Sequence, residues 1–172
     1  MSILCFNSNQ LIGNGMTIPS GPLRENINAI KKAQIILING DKNELFEEEI
    51  SKISQLTKIF YSRYMPLDIE RFKNKKLYAF AGIGNPDNFF ELLSENNLDV
   101  RKKIPFPDHY KFSKPEVQKM IDESLDNNLE LVTTEKDYLR IKDFGFSNIK
   151  NIKVELEVHD KDIFMNEVLN YT

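Results

Sequence analysis

Arg24 and Glu25 set a guanidinium and a carboxylate side by side in Gly21-Pro22-Leu23-Arg24-Glu25, just behind the glycine-rich run Gly13-Asn14-Gly15. Pro22 suits the first turn of a helix, and the spacing of Leu23, Ile27 and Ile30 predicts one whose apolar face they form. In that first turn an arginine opposes the positive end of the helix dipole, at a cost of up to ~1 kcal/mol. Local stability does not ask for Arg24, so an anion that it meets is the better explanation. Glu25 offers only acceptors and could hold a metal ion or a hydroxyl. Phosphate with a divalent metal is the simplest ligand pair that wants both.

A second group lies in Phe106-Pro107-Asp108-His109-Tyr110. Imidazole titrates near neutrality and a carboxylate can orient it, so Asp108 and His109 suit proton transfer. A solvent-exposed loop histidine is the alternative. Gly82-Ile83-Gly84-Asn85-Pro86 joins a strand to a helix with Asn85 at the N-cap. Either its N–H groups receive a phosphate, or the turn needs glycine for positive φ. Thr134 and Asp137 can cap the next helix, and Lys136 in its first turn repeats the oddity of Arg24. His159 reads as a surface or capping residue. The pairs Lys75-Lys76 and Lys102-Lys103 read as solvated faces that could also rest on an anionic surface. The G-x-x-x-x-G-K-[ST] phosphate cradle is absent from the sequence.

The elements that must position these groups alternate between short apolar runs and amphipathic stretches, the pattern of β-α units around a mostly parallel sheet. Strands are expected at residues 3–6, 35–38, 58–61, 77–81, 100–104, 129–132 and 153–156. Helices are expected from Pro22, from about Asn43, from Pro86, from about Lys114 and from Asp160. Ser113 and Glu116 form a capping box ahead of Val117, Met120, Ile121 and Leu125. The pattern pauses at Tyr64-Met65-Pro66-Leu67, which divides the chain into 1–67 and 68–172. The fold class is therefore α/β.

Composition excludes several classes. A length of 172 residues suits one medium or two small domains. A net charge of −3 argues against a dedicated nucleic-acid binder. Apolar runs fall short of the ~18 residues of a membrane span, and no signal segment opens the chain, which makes the cytoplasm the default. Cys5, the one cysteine, cannot form an internal disulfide, and its apolar neighbours predict a buried, inert thiol.

Taken in order, G-N-G…P-S-G-P-L-R-E, A-F-A-G-I-G-N-P-D-N-F-F, F-P-D-H-Y and L-V-T-T-E-K-D resemble the lipid A 4'-kinase (tetraacyldisaccharide 4'-kinase) family over nearly the whole chain. The resemblance implies transfer of a phosphoryl group from ATP, with Mg²⁺, to the 4' hydroxyl of the lipid A disaccharide precursor at the cytoplasmic face of the inner membrane. Arg24 and Glu25 match the family's Arg-Glu pair, His109 the histidine that partners the catalytic aspartate, and Gly13, Asn14 and Gly15 a loop near the substrate. Family proteins are about twice this length. The P-loop, the catalytic aspartate, a D-D-G-F-Q segment and a membrane-associating N-terminus would lie before Met1. Residues 1–67 are then expected to be the C-terminal portion of a P-loop-kinase-like nucleotide-binding domain, and 68–172 a smaller α/β domain. The chain is expected to be inactive unless a separate N-terminal-half chain joins it. The alternatives are a non-catalytic remnant and a binding module for a phosphorylated or acylated sugar.

Overall fold

The computed structural model describes residues 1–171, and they divide into two compact units. The first comprises Met1–Met65 and the chain from Leu156 onward; the second is Pro66–Glu155. The break after Met65 falls in the expected boundary stretch. The expected run of the second domain to residue 172 does not hold, because the C-terminal helix packs into the core of the first unit.

In the first unit the strands β1 (Ile3–Asn7), β2 (Ile35–Asn39), β3 (Lys58–Pro66) and β8 (Val154–Val158) form one sheet in the order β1-β2-β3-β8. β1 and β3 both run parallel to β2, with Ile35 opposite Ile3 on one side and Lys58 on the other. β2 has the apolar run Ile35-Ile36-Leu37-Ile38, all buried, because both faces of the sheet are covered there. Helix α1 (Glu44–Ile53) starts at Asn43, whose side chain accepts the Phe46 N–H, and it lays Phe46 and Ile50 on Ile36 and Ile38. Helix α5 (Lys161–Leu169) brings Phe164 and Val168 to Ile35, Leu37 and Phe60 on the other face.

The helix expected from Pro22 is not formed. Residues 16–23 close into a turn instead, with the Ile18 N–H on the Leu23 carbonyl at 2.8 Å and the Leu23 N–H on the Met16 carbonyl at 3.2 Å. Those bonds commit Leu23 to pairing with the preceding loop. A short 3₁₀ helix, Ile27–Lys32, begins only after Asn26, which caps it. Leu23, Ile27 and Ile30 still point inward, with Leu23 and Ile30 buried. Arg24 and Glu25 therefore precede a helix rather than sit in its first turn. Cys5 also departs from expectation: it is exposed, on the edge strand β1.

In the second unit β4 (Lys76–Ala81), β5 (Asp99–Pro105), β6 (Glu130–Thr134) and β7 (Ile149–Ile152) make an all-parallel sheet in the order β5-β4-β6-β7. The central strand β4 alternates strictly. Leu77, Ala79 and Ala81 face Phe89, Phe90 and Leu93 of α2 (Pro86–Glu95), while Tyr78 and Phe80 face Val117, Met120 and Ile121 of α3 (Lys114–Asp126). The Ser113–Glu116 capping box is present at the start of α3. Helix α4 (Glu135–Ile141) follows β6 with no intervening loop and is capped by Thr134. The single strand expected over 153–156 is two strands, since Ile149 and Ile152 are buried in the second unit and Val154–Val158 pairs in the first sheet.

Candidate functional site

From β4 the chain crosses to β5 on one side, and from β6 to β7 on the other. Connections that part in this way leave a crevice at the carboxyl ends of the two strands, where open α/β sheets take their ligands. Two loops and the start of a helix converge at that end of the second unit: Gly82–Asn85 after β4, Phe106–Tyr110 after β5, and α4, which begins directly after Thr134.

Asp137 ties them together. Its carboxylate is 0% exposed. Oδ2 accepts the Gly82 N–H at 2.8 Å and the Thr134 hydroxyl at 2.8 Å, and Oδ1 accepts Arg140 Nη1 at 2.8 Å. Arg140 Nη1 also donates to the Gly82 carbonyl at 2.8 Å. A carboxylate and a guanidinium thus clasp Gly82 from both sides, one by its N–H and the other by its C=O. A Cβ at Gly82 would stand 3.4 Å from atoms of Asp137, Phe112 and Tyr110, so the residue is closely surrounded.

Beside this clasp lies the expected pair. The His109 N–H donates to Asp108 Oδ1 at 2.9 Å, and His109 Nε2 is 3.6 Å from Asp108 Oδ2. Lys136 Nζ stands 3.5 Å from Asp108 Oδ1, and Arg140 Nη2 is 3.3 Å from His109 Nδ1. His109 has φ 58°, in the left-handed region, and its side chain is 77% exposed. Desolvation works against the charged form of Asp108. The His109 N–H bond and the electrostatic pull of His109 and Lys136 outweigh it together, so the carboxyl sits below the usual aspartate range. The loop beneath is stiffened by aromatic packing: the Phe106 ring lies 4.7 Å from Tyr110 and 5.1 Å from Phe112, and the Tyr110 hydroxyl donates to Glu116 at 2.9 Å.

Asn85 occupies the N-cap position of α2 as expected, yet its side chain does not cap; it donates to Asn88 Oδ1 at 3.1 Å. Lys136 is accounted for by Asp108. Arg140 escaped the sequence reading, and Asp137 was credited with capping alone. The signal for both was the i,i+3 spacing of Asp137 and Arg140 in the helix that Thr134 starts.

The remaining candidates lie in the first unit. Gly13 has φ 56°, and a Cβ there would come within 2.6 Å of Pro22 Cγ, so the turn requires glycine. Asn14 latches the loop: its Nδ2 donates to the Ser20 carbonyl at 2.8 Å and its Oδ1 accepts the Met16 N–H at 3.1 Å. Gly15 closes the preceding turn onto the Ile12 carbonyl at 2.9 Å. Arg24 and Glu25 are exposed, and no hydrogen bond or ion pair engages their side chains among the described residues. They line a groove of about 560 Å³ that runs along β1 and includes Leu4, Cys5 and Phe6. Among the described residues no three His, Cys, Asp or Glu side chains gather as a metal site, so Glu25 belongs to no such group there. No helix among them is long and apolar enough to cross a membrane.

The profile of the tetraacyldisaccharide-1-P 4'-kinase family matches residues 1–172, the full length. The chain belongs to that family. The tetraacyldisaccharide 4'-kinase of Pelagibacter ubique (strain HTCC1062) is 37% identical over 98% of this chain and 55% of its own length. That of Rickettsia akari (strain Hartford) is 30% identical over 97% of this chain and 50% of its own. The chain spans about half the length of the curated 4'-kinases it matches, their C-terminal half. Among solved structures, the "apo" form of LpxK from Aquifex aeolicus in complex with ATP superposes with a TM-score of 0.62 at 17% identity, over 98% of this chain and 51% of that one. At that identity the likeness speaks for the 4'-kinase fold, which agrees with the α/β reading. The 4'-kinase family works in lipid A biosynthesis.

Proposed function

We propose that this chain is the C-terminal part of a tetraacyldisaccharide 4'-kinase, which transfers the ATP γ-phosphate to the 4' hydroxyl of the lipid A disaccharide precursor once a P-loop-bearing N-terminal part joins it. The observation that carries the reading is the family match along the whole chain together with His109, Asp108 and Lys136 converging at the carboxyl end of a parallel sheet.

Within that enzyme the residues of this chain position and stabilise. Arg24, exposed and unpaired among the described residues, is free to meet phosphate oxygens, where a guanidinium gains strength as charge develops on the transferring group. His109 orients the carboxylate that takes the 4' hydroxyl proton. Asp108 and Lys136 hold the His109 loop. ATP supplies the phosphoryl group, and the chain by itself gathers neither a metal-ligand set nor a phosphate cradle. Glu25 alone does not make a Mg²⁺ site; its partner ligands would come from the N-terminal part. The groove along β1 is the surface against which the N-terminal part packs, and the complete enzyme works against the anionic cytoplasmic face of the inner membrane.

The test is reconstitution. The N-terminal half of a relative, carrying the P-loop and the catalytic aspartate, is mixed with this chain, and phosphate transfer from Mg-ATP to the disaccharide precursor is measured. Transfer is expected with both parts and with neither alone. His109→Ala is expected to lower kcat by ~10²–10⁴-fold, Arg24→Ala to lower it as well, and His159→Ala to leave it unchanged. Absence of transfer from a soluble, associated pair overturns the reading and favours a non-catalytic remnant or a sugar-binding module.

A further inference from the structure

Arg140 lies in none of the motifs that carry the family resemblance, yet its guanidinium reaches two other loops at once. One nitrogen, Nη1, is fixed by the Asp137 carboxylate and the Gly82 carbonyl, each at 2.8 Å. The other, Nη2, faces His109 Nδ1 at 3.3 Å. A guanidinium has donors only and cannot lose its proton in a protein. In this contact Nδ1 must therefore accept, and the ring proton of a neutral imidazole is left on Nε2. We propose that Arg140 is a positioning residue for His109, holding its imidazole in the Nε2–H form so that the ring presents its donor at Nε2, the atom 3.6 Å from Asp108 Oδ2.

The inference rests on the reading of His109 as a site residue given above. Its chemical content is simple. An imidazole with its proton on Nε2 donates to a carboxylate and orients it; the opposite tautomer would turn a lone pair toward that carboxylate and repel it. An unrestrained, exposed imidazole would sample both forms and several rotamers. The planar fork of Arg140 removes that freedom because its first arm is anchored on a carboxylate that is 0% exposed. Lysine cannot copy this: an ammonium offers its donors from a single atom, and it cannot hold Asp137 and reach His109 together.

The full chain, uniformly ¹⁵N-labelled, is examined by long-range ¹H–¹⁵N correlation of its two imidazoles at a pH where both are neutral, with His159→Gln to assign the signals. The expected result is a His109 Nδ1 shift characteristic of an unprotonated nitrogen and an Nε2 shift characteristic of a protonated one. Arg140→Lys keeps the charge beside Asp137 and so preserves the fold, as judged by unchanged amide signals outside residues 106–110. It is expected to draw the two His109 shifts toward each other while His159 stays put. In the reconstituted enzyme the same variant is expected to lower kcat by up to about 10²-fold with KM nearly unchanged, the mark of lost positioning. A proton on Nδ1 in the unaltered chain, or His109 shifts indifferent to Arg140→Lys, overturns the inference. Should Arg140→Lys fail to fold, the shifts of the unaltered chain decide alone. The spectroscopic readout needs no kinase activity, so a failed reconstitution strikes the functional reading and leaves this test standing.

Discussion

Two loop systems carry the candidate residues, and they are built on opposite plans. In the first unit, residues 13–25 are held by backbone turns and the Asn14 latch, and Arg24 and Glu25 project without side-chain partners among the described residues. In the second unit, two loops are clasped to helix α4 by the buried Asp137 and by Arg140, and Asp108 contacts both His109 and Lys136. The second arrangement is organised before any ligand arrives. The first waits for charge from outside. A cation and an anion left free side by side are inexpensive in water and become useful once something excludes that water.

The sharpest way to break this comparison is to remove Asp137. Asp137→Ala strands Arg140 and leaves the Gly82 N–H unmatched, which is expected to cost about 3 kcal/mol, the lower end for a broken buried pair because Arg140 is 24% exposed. Arg24→Ala is expected to stay within about 0.5 kcal/mol. Urea denaturation monitored by circular dichroism checks both. Similar losses at the two positions would erase the distinction between organised and waiting loops.

Hydrogen exchange sharpens it next. Amides of β4, a central strand with five of its six residues buried, are expected to exchange far more slowly than those of β1, an edge strand of partly exposed residues. Cys5 on β1 is expected to react promptly with a maleimide in the native chain and to be shielded when the N-terminal half is added. A thiol equally reactive in the reconstituted pair would place that half elsewhere.

A smaller effect concerns the interior of the first unit, where side chains are in fact well tied. Burial first, and then the hydrogen bond to Glu47, push the Tyr61 hydroxyl up from 10.0 to about 12. The neutral form is the one the fold favours, so this contribution to stability is complete below pH 10 and is lost as the pH rises toward 12. Ultraviolet titration is expected to show a late tyrosine component that Tyr61→Phe removes. The smallest effect is at Asp108. Its carboxyl lies below 3.8, so its contribution is complete above that value and is lost only as the pH falls through the lower folded value. Carboxyl NMR is expected to follow this titration, and Lys136→Ala to move it back toward 3.8.

Local rules in the sequence were decisive wherever a short run could satisfy itself. The Ser113–Glu116 box and the Thr134 cap both form as read, since each needs residues three apart and nothing more. The apolar runs of β2 and β4 marked both as strands. Asp108 and His109 were legible because they adjoin each other. The misread segments depended on partners far along the chain or on competing backbone bonds. Pro22 promised a helix, and the pairing of Leu23 with Met16 and Ile18 overruled it. Cys5 sat among apolar neighbours, yet its exposure is set by its place at a sheet edge.

By itself the sequence determined the β-α rhythm, the capped helices, the break near Met65 and the motifs that assign the family, all of them properties of residues close together in the chain. Only the tertiary structure decided that the last strand and helix return to the first unit, where Phe164 packs on Phe60 at 5.2 Å between ring centres. It also decided that Asp137 and Arg140 grip Gly82, 55 and 58 positions away. No local pattern encodes such contacts. They arise when a buried carboxylate must find its donors in whatever the fold brings within reach.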